Sequence, residues 1–197
     1  MNALTVLAVA GFGYLLGSIP FGLVLSRIAG LGDIRAIGSG SIGATNVLRT
    51  GRKDVAALTL ALDAAKGVVA VLAAAGFAGE SADLIAGVAA VIGHCTSVWL
   101  RGRGGKGVAT GLGVIMSIAW PVGVACCAIW LVTAKLTRRS SASALLAFAI
   151  APVLMLLWRG SDPAIAVTVI AVVIYVRHHT NIRRLLAGTE PRIGQGR

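Results

Sequence analysis

Acidic residues are the scarcest chemistry in this chain: seven Asp and Glu stand against 18 Lys and Arg in 197 residues, for a formal net charge of +11. The seven are spread from Asp33 to Glu190 without clustering, so the carboxylate groups that hold divalent metals are missing and no metal or other cofactor is expected. Cysteine is nearly absent too. Cys95 and the adjacent pair Cys126-Cys127 make an odd count with no ligand spacing, which argues against a disulfide framework or zinc site and for small apolar core residues. Signatures of common catalytic machinery are also missing. The chain has no Gly-x-Ser-x-Gly elbow, no His-Glu-x-x-His and no complete Walker loop, since Lys106 of Gly105-Lys106-Gly107 is followed by Gly instead of Ser or Thr. None of His94, His178 and His179 has an Asp just downstream as an acid–base partner.

What fills the chain instead is apolar sequence. Hydrophobic residues make up 57% and charged residues 13%, and the mean hydropathy is +0.88. Such a composition excludes an ordinary soluble domain and fits a compact polytopic membrane protein. Long runs of Ala, Val, Leu, Ile and Gly recur without the ten-residue alternation of a transmembrane barrel, so the fold class is read as all-α, a helical membrane bundle. The 26 glycines fit close helix packing. Gly13 with Gly17, and Gly107 with Gly111, have small-xxx-small spacing; they are read as packing and not as dimerisation, and a monomer is expected. The positive charge does not point to nucleic acid, because it sits in short loops between apolar spans, where Lys and Arg set orientation in the bilayer.

Apolar spans fall near residues 3–25, 54–77, 84–100, 107–119, 121–136, 142–158 and 163–177. The first has no basic residues ahead of it and no convincing cleavage site, and is read as a retained helix, not a signal peptide. Charge decides whether 107–136 is one long helix or two short ones broken around Trp120-Pro121. Loops 26–53, 101–106 and 135–139 and the tail 177–197 carry five, three, three and five Lys/Arg, sixteen of the eighteen, and two crossings keep all four on the cytoplasmic side. Seven transmembrane helices follow, with the N-terminus outside and the C-terminus cytoplasmic. Glu80, Asp83 and Asp162 then fall on the outer side with Arg159. Several spans are shorter than the about 20 residues a crossing needs, so local thinning or re-entrant segments are expected.

Polar chemistry therefore gathers at one face. Gly38-Ser39-Gly40-Ser41-Ile42-Gly43-Ala44-Thr45-Asn46, closed by Arg49, joins glycines that let several N–H groups turn to one point with hydroxyls, an amide and a guanidinium, which suits a phosphate. Arg101-Gly102-Arg103-Gly104-Gly105-Lys106-Gly107 repeats the combination, and the tail opens Arg177-His178-His179-Thr180-Asn181-Ile182-Arg183-Arg184. Orientation needs only charge, not the Ser, Thr, Asn and His interleaved with it. Loops 26–53, 101–107 and 177–190 are thus read as one anion site of a single membrane-embedded domain, 1–197. Within the second span, Asp63 and Lys66 share a helical face and are expected to pair toward the bundle interior. His94, without ligand partners, is read as a structural hydrogen-bonding histidine.

Gly17-Ser18-Ile19-Pro20, Asp33-Ile34-Arg35, Gly38-Ser39-Gly40, Gly43-Ala44-Thr45-Asn46 with Arg49, Leu62-Asp63 with Lys66-Gly67, Gly93-His94, Gly104-Gly105-Lys106-Gly107-Val108-Ala109-Thr110, and Arg177-His178 with Asn181-Ile182 run in order from about Gly17 to Glu190. This series resembles the bacterial acyl-phosphate glycerol-3-phosphate acyltransferase family. The resemblance implies a seven-helix, multi-pass enzyme of the bacterial plasma (inner) membrane with its active site facing the cytoplasm. It would transfer a fatty acyl group from acyl phosphate to the 1-hydroxyl of glycerol 3-phosphate, giving lysophosphatidic acid and phosphate, the first acylation of phospholipid synthesis. Carried over, Ser39 and the backbone of Gly38 to Ala44, including Gly40 and Gly43, would hold the donor phosphate, with Thr45 and Asn46 beside them. Arg49, Lys106, His178 and Asn181 would hold the phosphate and hydroxyls of glycerol 3-phosphate, with Gly104, Gly105 and Gly107 around Lys106. Ser39, Lys106 and His178 are the catalytic candidates; His178 either positions the alcohol or takes its proton, and the donor's own phosphate is the other proton acceptor.

A transporter for a phosphorylated metabolite would also place cations near one membrane face. It predicts polar residues through the bundle and pseudo-symmetric halves, whereas polar chemistry here stops at the cytoplasmic side and no internal repeat is visible. A lipid-binding protein would account for the basic loops but not for their Gly, Ser and Asn.

Overall fold

The structure is a computed structural model that describes residues 1–38, 40–79 and 81–194; among these residues it holds ten α-helices and no strand. The first apolar segment, Ala3–Ile28, is one candidate span made of two helices. Helix α1 (Ala3–Ser18) stops before Ile19-Pro20 and α2 (Phe21–Ile28) resumes after it, because proline has no N–H for the ladder and its ring clashes with the preceding turn. The loop that follows contains a single helical turn, α3 (Ala44–Val47). Then come α4 (Lys53–Ala78), α5 (Ala82–Cys95), α6 (Val108–Ile118), α7 (Trp120–Thr137), α8 (Ser140–Arg159), α9 (Ser161–Arg177) and α10 (His179–Leu186).

Each of the seven expected spans contains a helix, and residues 107–136 split in two at Ala119, with Pro121 tolerated in the first turn of α7. Among the described residues, five segments are long and apolar enough to cross a membrane; α9 passes that test only together with α10, which bends 64° away from it. Helix α6 has 11 residues, or roughly 16 Å at 1.5 Å per residue, about half the hydrocarbon thickness. Large apolar side chains point away from the bundle, among them Leu4, Leu7, Leu72, Leu157 and Ile165, each more than half exposed. That inside-out distribution suits lipid as the surrounding medium.

The main core joins Val91 and Cys95 of α5, Val114 and Ile115 of α6, Cys126 of α7, Phe148 and Met155 of α8, and Ile170 and Ile174 of α9. Glycines bring the remaining helices together. A Cβ on Gly13 or Gly17 of α1 would overlap the backbone of Ala86 or Ala90 on α5, and one on Gly113 of α6 would overlap Ala64 of α4. Gly111 faces the Phe148 ring, so the small residues do serve packing inside this chain. The break at Pro20 frees carbonyls that α1 would otherwise use. Ser97 Oγ donates to Ser18 O at 2.6 Å, and Lys66 Nζ donates to Ile19 O at 2.8 Å while standing 2.8 Å from Asp63 Oδ1.

Gly17→Leu should therefore cost roughly 1–3 kcal/mol of stability by overpacking and lower Tm in detergent by several degrees. Gly11→Leu, where nothing lies within 4 Å of an added Cβ, should leave Tm unchanged in the same thermal-shift measurement.

Candidate anion site

Three loops distant in sequence close around one cavity of about 650 Å³. From the first come Gly38, Ser41, Gly43, Ala44, Thr45, Asn46 and Arg49; from the second, Lys106 and Gly107; from the tail, His178, Asn181 and Arg184, followed by Thr189 to Gly194. Asp63 and His94 lie on its wall as well, and so do Ser140 and Ser141 at the start of α8. Leu60, Val108, Leu112, Cys127, Trp130 and Leu131 make another stretch of the wall apolar.

The first loop is shaped by its own polar groups. Gly38 has φ +56°, and a Cβ there would collide with the Arg49 guanidinium and Asn46 Oδ1. Only glycine lets the chain lie this close to the cation. Asn46 is buried, its amide donating to Ile34 O at 2.7 Å, which ties α3 back to the turn that begins at Asp33. Thr45 Oγ1 and Ser140 Oγ are 3.2 Å apart, linking the loop to α8.

Lys106 is held from behind. Gly104 N–H donates to Cys95 O at 3.2 Å and Gly105 N–H to His94 O at 2.9 Å. Arg177 donates from Nε to Gly105 O and from Nη2 to Gly104 O, each at 3.1 Å. Gly105 also lies directly on the His94 ring, where any side chain would overlap Nε2. Gly107, at φ +82°, turns the chain into α6. Burial is the main influence on the Lys106 ammonium and pulls its pKa down to about 8, with Glu190 acting the other way and Arg184, Arg49 and Arg177 adding to the fall.

At the end of α9, His178 is buried and its Nδ1 is 2.8 Å from Ile174 O. A carbonyl only accepts, so Nδ1 carries the proton and Nε2 keeps a lone pair. Glu190 draws the tail inward: its Oε1 accepts from Asn181 Nδ2 and Ser141 Oγ, each at 2.6 Å, and its Oε2 from Arg184 Nε at 2.7 Å. Burial alone would raise the Glu190 pKa, but the hydrogen bonds from Ser141, Asn181 and Arg184 outweigh it and hold the carboxyl below its ordinary value.

Of the residues singled out in sequence, Gly38, Gly43, Ala44, Thr45, Asn46, Arg49, Lys106, Gly107, His178 and Asn181 share the cavity wall. Gly40 is not on that wall, and Gly104 and Gly105 stand behind it with their N–H groups committed to helix α5. Ser39 lies outside the described residues, as does Glu80. The Asp63 and Lys66 pair faces inward as expected, and His94 Nδ1 approaches Asp63 Oδ1 to 3.6 Å. Cys95 and Cys126 are core residues, whereas Cys127 is half-buried on the cavity wall. Glu190, Ser140 and Ser141 went unseen. The one available signal was that Glu190 is the sole carboxylate in a tail carrying five arginines.

Residues 7–188 match the family described as glycerol-3-phosphate acyltransferase. Curated proteins called glycerol-3-phosphate acyltransferase are close relatives. The one from Gluconobacter oxydans is 57% identical over 187 residues, covering 91% of this chain and 89% of that protein. The one from Maricaulis maris is 57% identical over 193 residues, covering 98% and 89%. Among solved structures, PlsY (YgiH), an integral membrane glycerol 3-phosphate acyltransferase, superposes in its glycerol 3-phosphate form with a TM-score of 0.90 at 36% identity, covering 96% of each chain. Its lysophosphatidic acid form gives 0.88 at 35% identity.

Because the Lys106 pKa is pushed down to about 8, its charge is present below that pH and lost above it. Affinity of the site for inorganic phosphate, measured by isothermal titration in detergent, should fall as pH rises through about 8. Lys106→Arg, which stays charged throughout, should remove that fall.

Proposed function

The chain belongs to the glycerol-3-phosphate acyltransferase family, and we propose that it takes its acyl group from an acyl phosphate and delivers it to the 1-hydroxyl of glycerol 3-phosphate. It is an integral membrane acyltransferase that acts on glycerol 3-phosphate, the first acylation step of phospholipid synthesis. What supports the donor assignment is a single cavity lined by Gly38, Gly43 and Ala44 of the glycine-rich loop, by Arg49, Lys106 and His178, and by a neighbouring apolar wall. Gly38 to Ala44, with Ser39, are assigned to the donor phosphate. Arg49, Lys106, His178 and Asn181 are assigned to glycerol 3-phosphate. Thr45 and Asn46 hold the first loop in place, and Gly104, Gly105 and Gly107 hold Lys106.

The chemistry needs little beyond this. Two anions repel, and fixed N–H groups with Arg and Lys offset that repulsion while aligning the reactants. The 1-hydroxyl oxygen attacks the acyl carbonyl carbon, the bond from that carbon to the phosphate oxygen breaks, and the hydroxyl proton passes to the departing phosphate. His178 Nε2 is the other acceptor within the site, and its lone pair favours keeping that route open. An acyl phosphate is already activated, so the protein supplies no covalent nucleophile.

The lysine and arginine pattern supports the accompanying topology: seven crossings in one domain, 1–197, N-terminus outside, loops 26–53, 101–107 and 177–190 on the cytoplasmic face of the bacterial inner membrane. In that arrangement α6 is a short crossing of thinned bilayer and the protein is a monomer. A transporter reading has no comparable support, since the cavity is walled at one end by loops and at its side by apolar helix.

Purified protein in detergent, given palmitoyl phosphate and glycerol 3-phosphate, should release inorganic phosphate only when both are present. Lys106→Ala should lower kcat/KM at least 100-fold, on the order of one lost charge-stabilising group. Turnover with acyl-CoA but not palmitoyl phosphate would overturn the donor assignment.

A further inference from the structure

Thr189, Glu190, Pro191, Arg192, Ile193 and Gly194 border the cavity one after another, so the chain past α10 runs along its rim as a strap. Both ends of the strap are tied. At the near end Thr189 N–H donates to Arg184 O at 2.9 Å, next to the Glu190 carboxylate with its contacts to Ser141, Asn181 and Arg184. At the far end Ile193 N–H donates to Arg138 O at 2.6 Å. Arg138 ends α7 in the left-handed region, at φ +55°, and its carbonyl lies beyond the last helical turn, where no intrahelical N–H claims it. The strap thus spans from α10 to the turn between α7 and α8. Pro191 and Arg192 are exposed while also bordering the cavity, which makes this stretch a wall one chain thick between the reactants and water.

We infer that this strap sets acceptor specificity by excluding water, so that the acyl group passes to the alcohol of glycerol 3-phosphate and not to solvent. The inference rests on the acyltransfer reading above. An acyl phosphate is activated toward any oxygen nucleophile, and cations that align it for an alcohol serve a water molecule equally well. In that side reaction the water oxygen attacks the acyl carbonyl carbon, the bond from that carbon to the phosphate oxygen breaks, and one water proton passes to the departing phosphate. A fatty acid and inorganic phosphate result, and the activated donor is lost. Water is far more concentrated than any dissolved alcohol, so the site discriminates by access and not by affinity. Covering a site against hydrolysis of its reactive groups is the usual task of lids. Here the cover is a tail segment, and its closure depends on the bond to Arg138 and on Pro191, whose ring fixes φ and narrows the conformations open to the released strap.

The test follows inorganic phosphate and lysophosphatidic acid made by purified protein in detergent, from palmitoyl phosphate alone and with glycerol 3-phosphate added, after subtraction of an enzyme-free blank. Wild type should release little phosphate from palmitoyl phosphate alone, and with the alcohol present the two products should form in equal amounts. Ile193→Pro removes the N–H that reaches Arg138. It should raise donor-only hydrolysis about five- to tenfold, the shift expected when one ordinary hydrogen bond stops holding a closed state, and bring phosphate into excess over lysophosphatidic acid. Pro191→Gly, which loosens the strap but leaves the bond to Arg138 in place, should act in the same direction more weakly, and it supplies the same reading if the proline variant fails to fold. Donor-only hydrolysis at the wild-type rate in every variant that folds would overturn the inference. So would a variant in which both products fall together and stay equal, since that marks a merely structural segment. Wild type that hydrolyses palmitoyl phosphate as fast without the alcohol as with it would overturn it as well. Wild type that leaves palmitoyl phosphate untouched with the alcohol present would overturn the acyl-phosphate reading itself, and the inference with it.

Discussion

A buried ammonium sets the frame on which the loops hang. Inside a bilayer no water satisfies a stray carbonyl or charge, so each must find its partner within the protein. Lys66 stands where three such needs meet: 2.8 Å from the Asp63 carboxylate, donating to the Ile19 carbonyl that the break at Pro20 sets free, with its ammonium 5.7 Å from the centroid of the Phe21 ring. This fixes where α1 ends and at what point α2 leads the chain into the 26–53 loop. The pair also reaches the second loop, because His94 Nδ1 is 3.6 Å from Asp63 and the His94 ring is the surface on which Gly105 lies. One buried pair therefore positions both the phosphate-shaped loop and the segment carrying Lys106.

Crowding cations is the opposing cost. Arg49, Lys106, Arg177 and Arg184 all influence the same small region, and burial together with their mutual repulsion weakens the hold of Lys106 on its proton. The structure spreads the load by giving two of the four an internal partner. Arg177 spends its donors on the carbonyls of Gly104 and Gly105, and Arg184 pairs with Glu190. Arg49 and Lys106 line the cavity beside Arg184, and these two are the cations proposed to meet substrate.

Much of this was legible in the sequence because membrane helices write a strong local signal. Composition and the absence of strand alternation gave the helical class, and charge placement gave the division of 107–136 into α6 and α7. The three-residue spacing of Asp63 and Lys66 was enough to pair them, and the polar residues of three loops pointed to one place, which is the shared cavity. What stayed hidden depends on separation. The Glu190 contact with Ser141 joins residues 49 apart, and no periodicity links a tail carboxylate to the first turn of α8. Gly104 and Gly105 read as phosphate-binding backbone, since sequence cannot reveal that their N–H groups are already taken by His94 and Cys95. The short α6 was legible too, since the expected span 107–119 differs from Val108–Ile118 by one residue at each end.

The covered loop before α6 has a physical reason. A water-soluble phosphate ester and a chain dissolved in lipid can meet only if polar backbone reaches below the membrane surface, and irregular backbone is tolerated there only where protein buries it or it lines a cavity. Two departures from regular helix in this bundle obey that rule. The Ile19-Pro20 break is covered by Lys66 and Ser97 reaching its carbonyls, and residues 104–107 are covered by Arg177, His94 and the end of α5. The short α6 begins only after that covered loop, so Lys106 stands at its head beside Val108 and Leu112, which continue the same cavity wall as apolar surface. Lengthening α6 upward into a full crossing would replace residues 104–107 with helix, withdraw Lys106 from the site and close the step between polar and apolar walls that joining these two substrates requires.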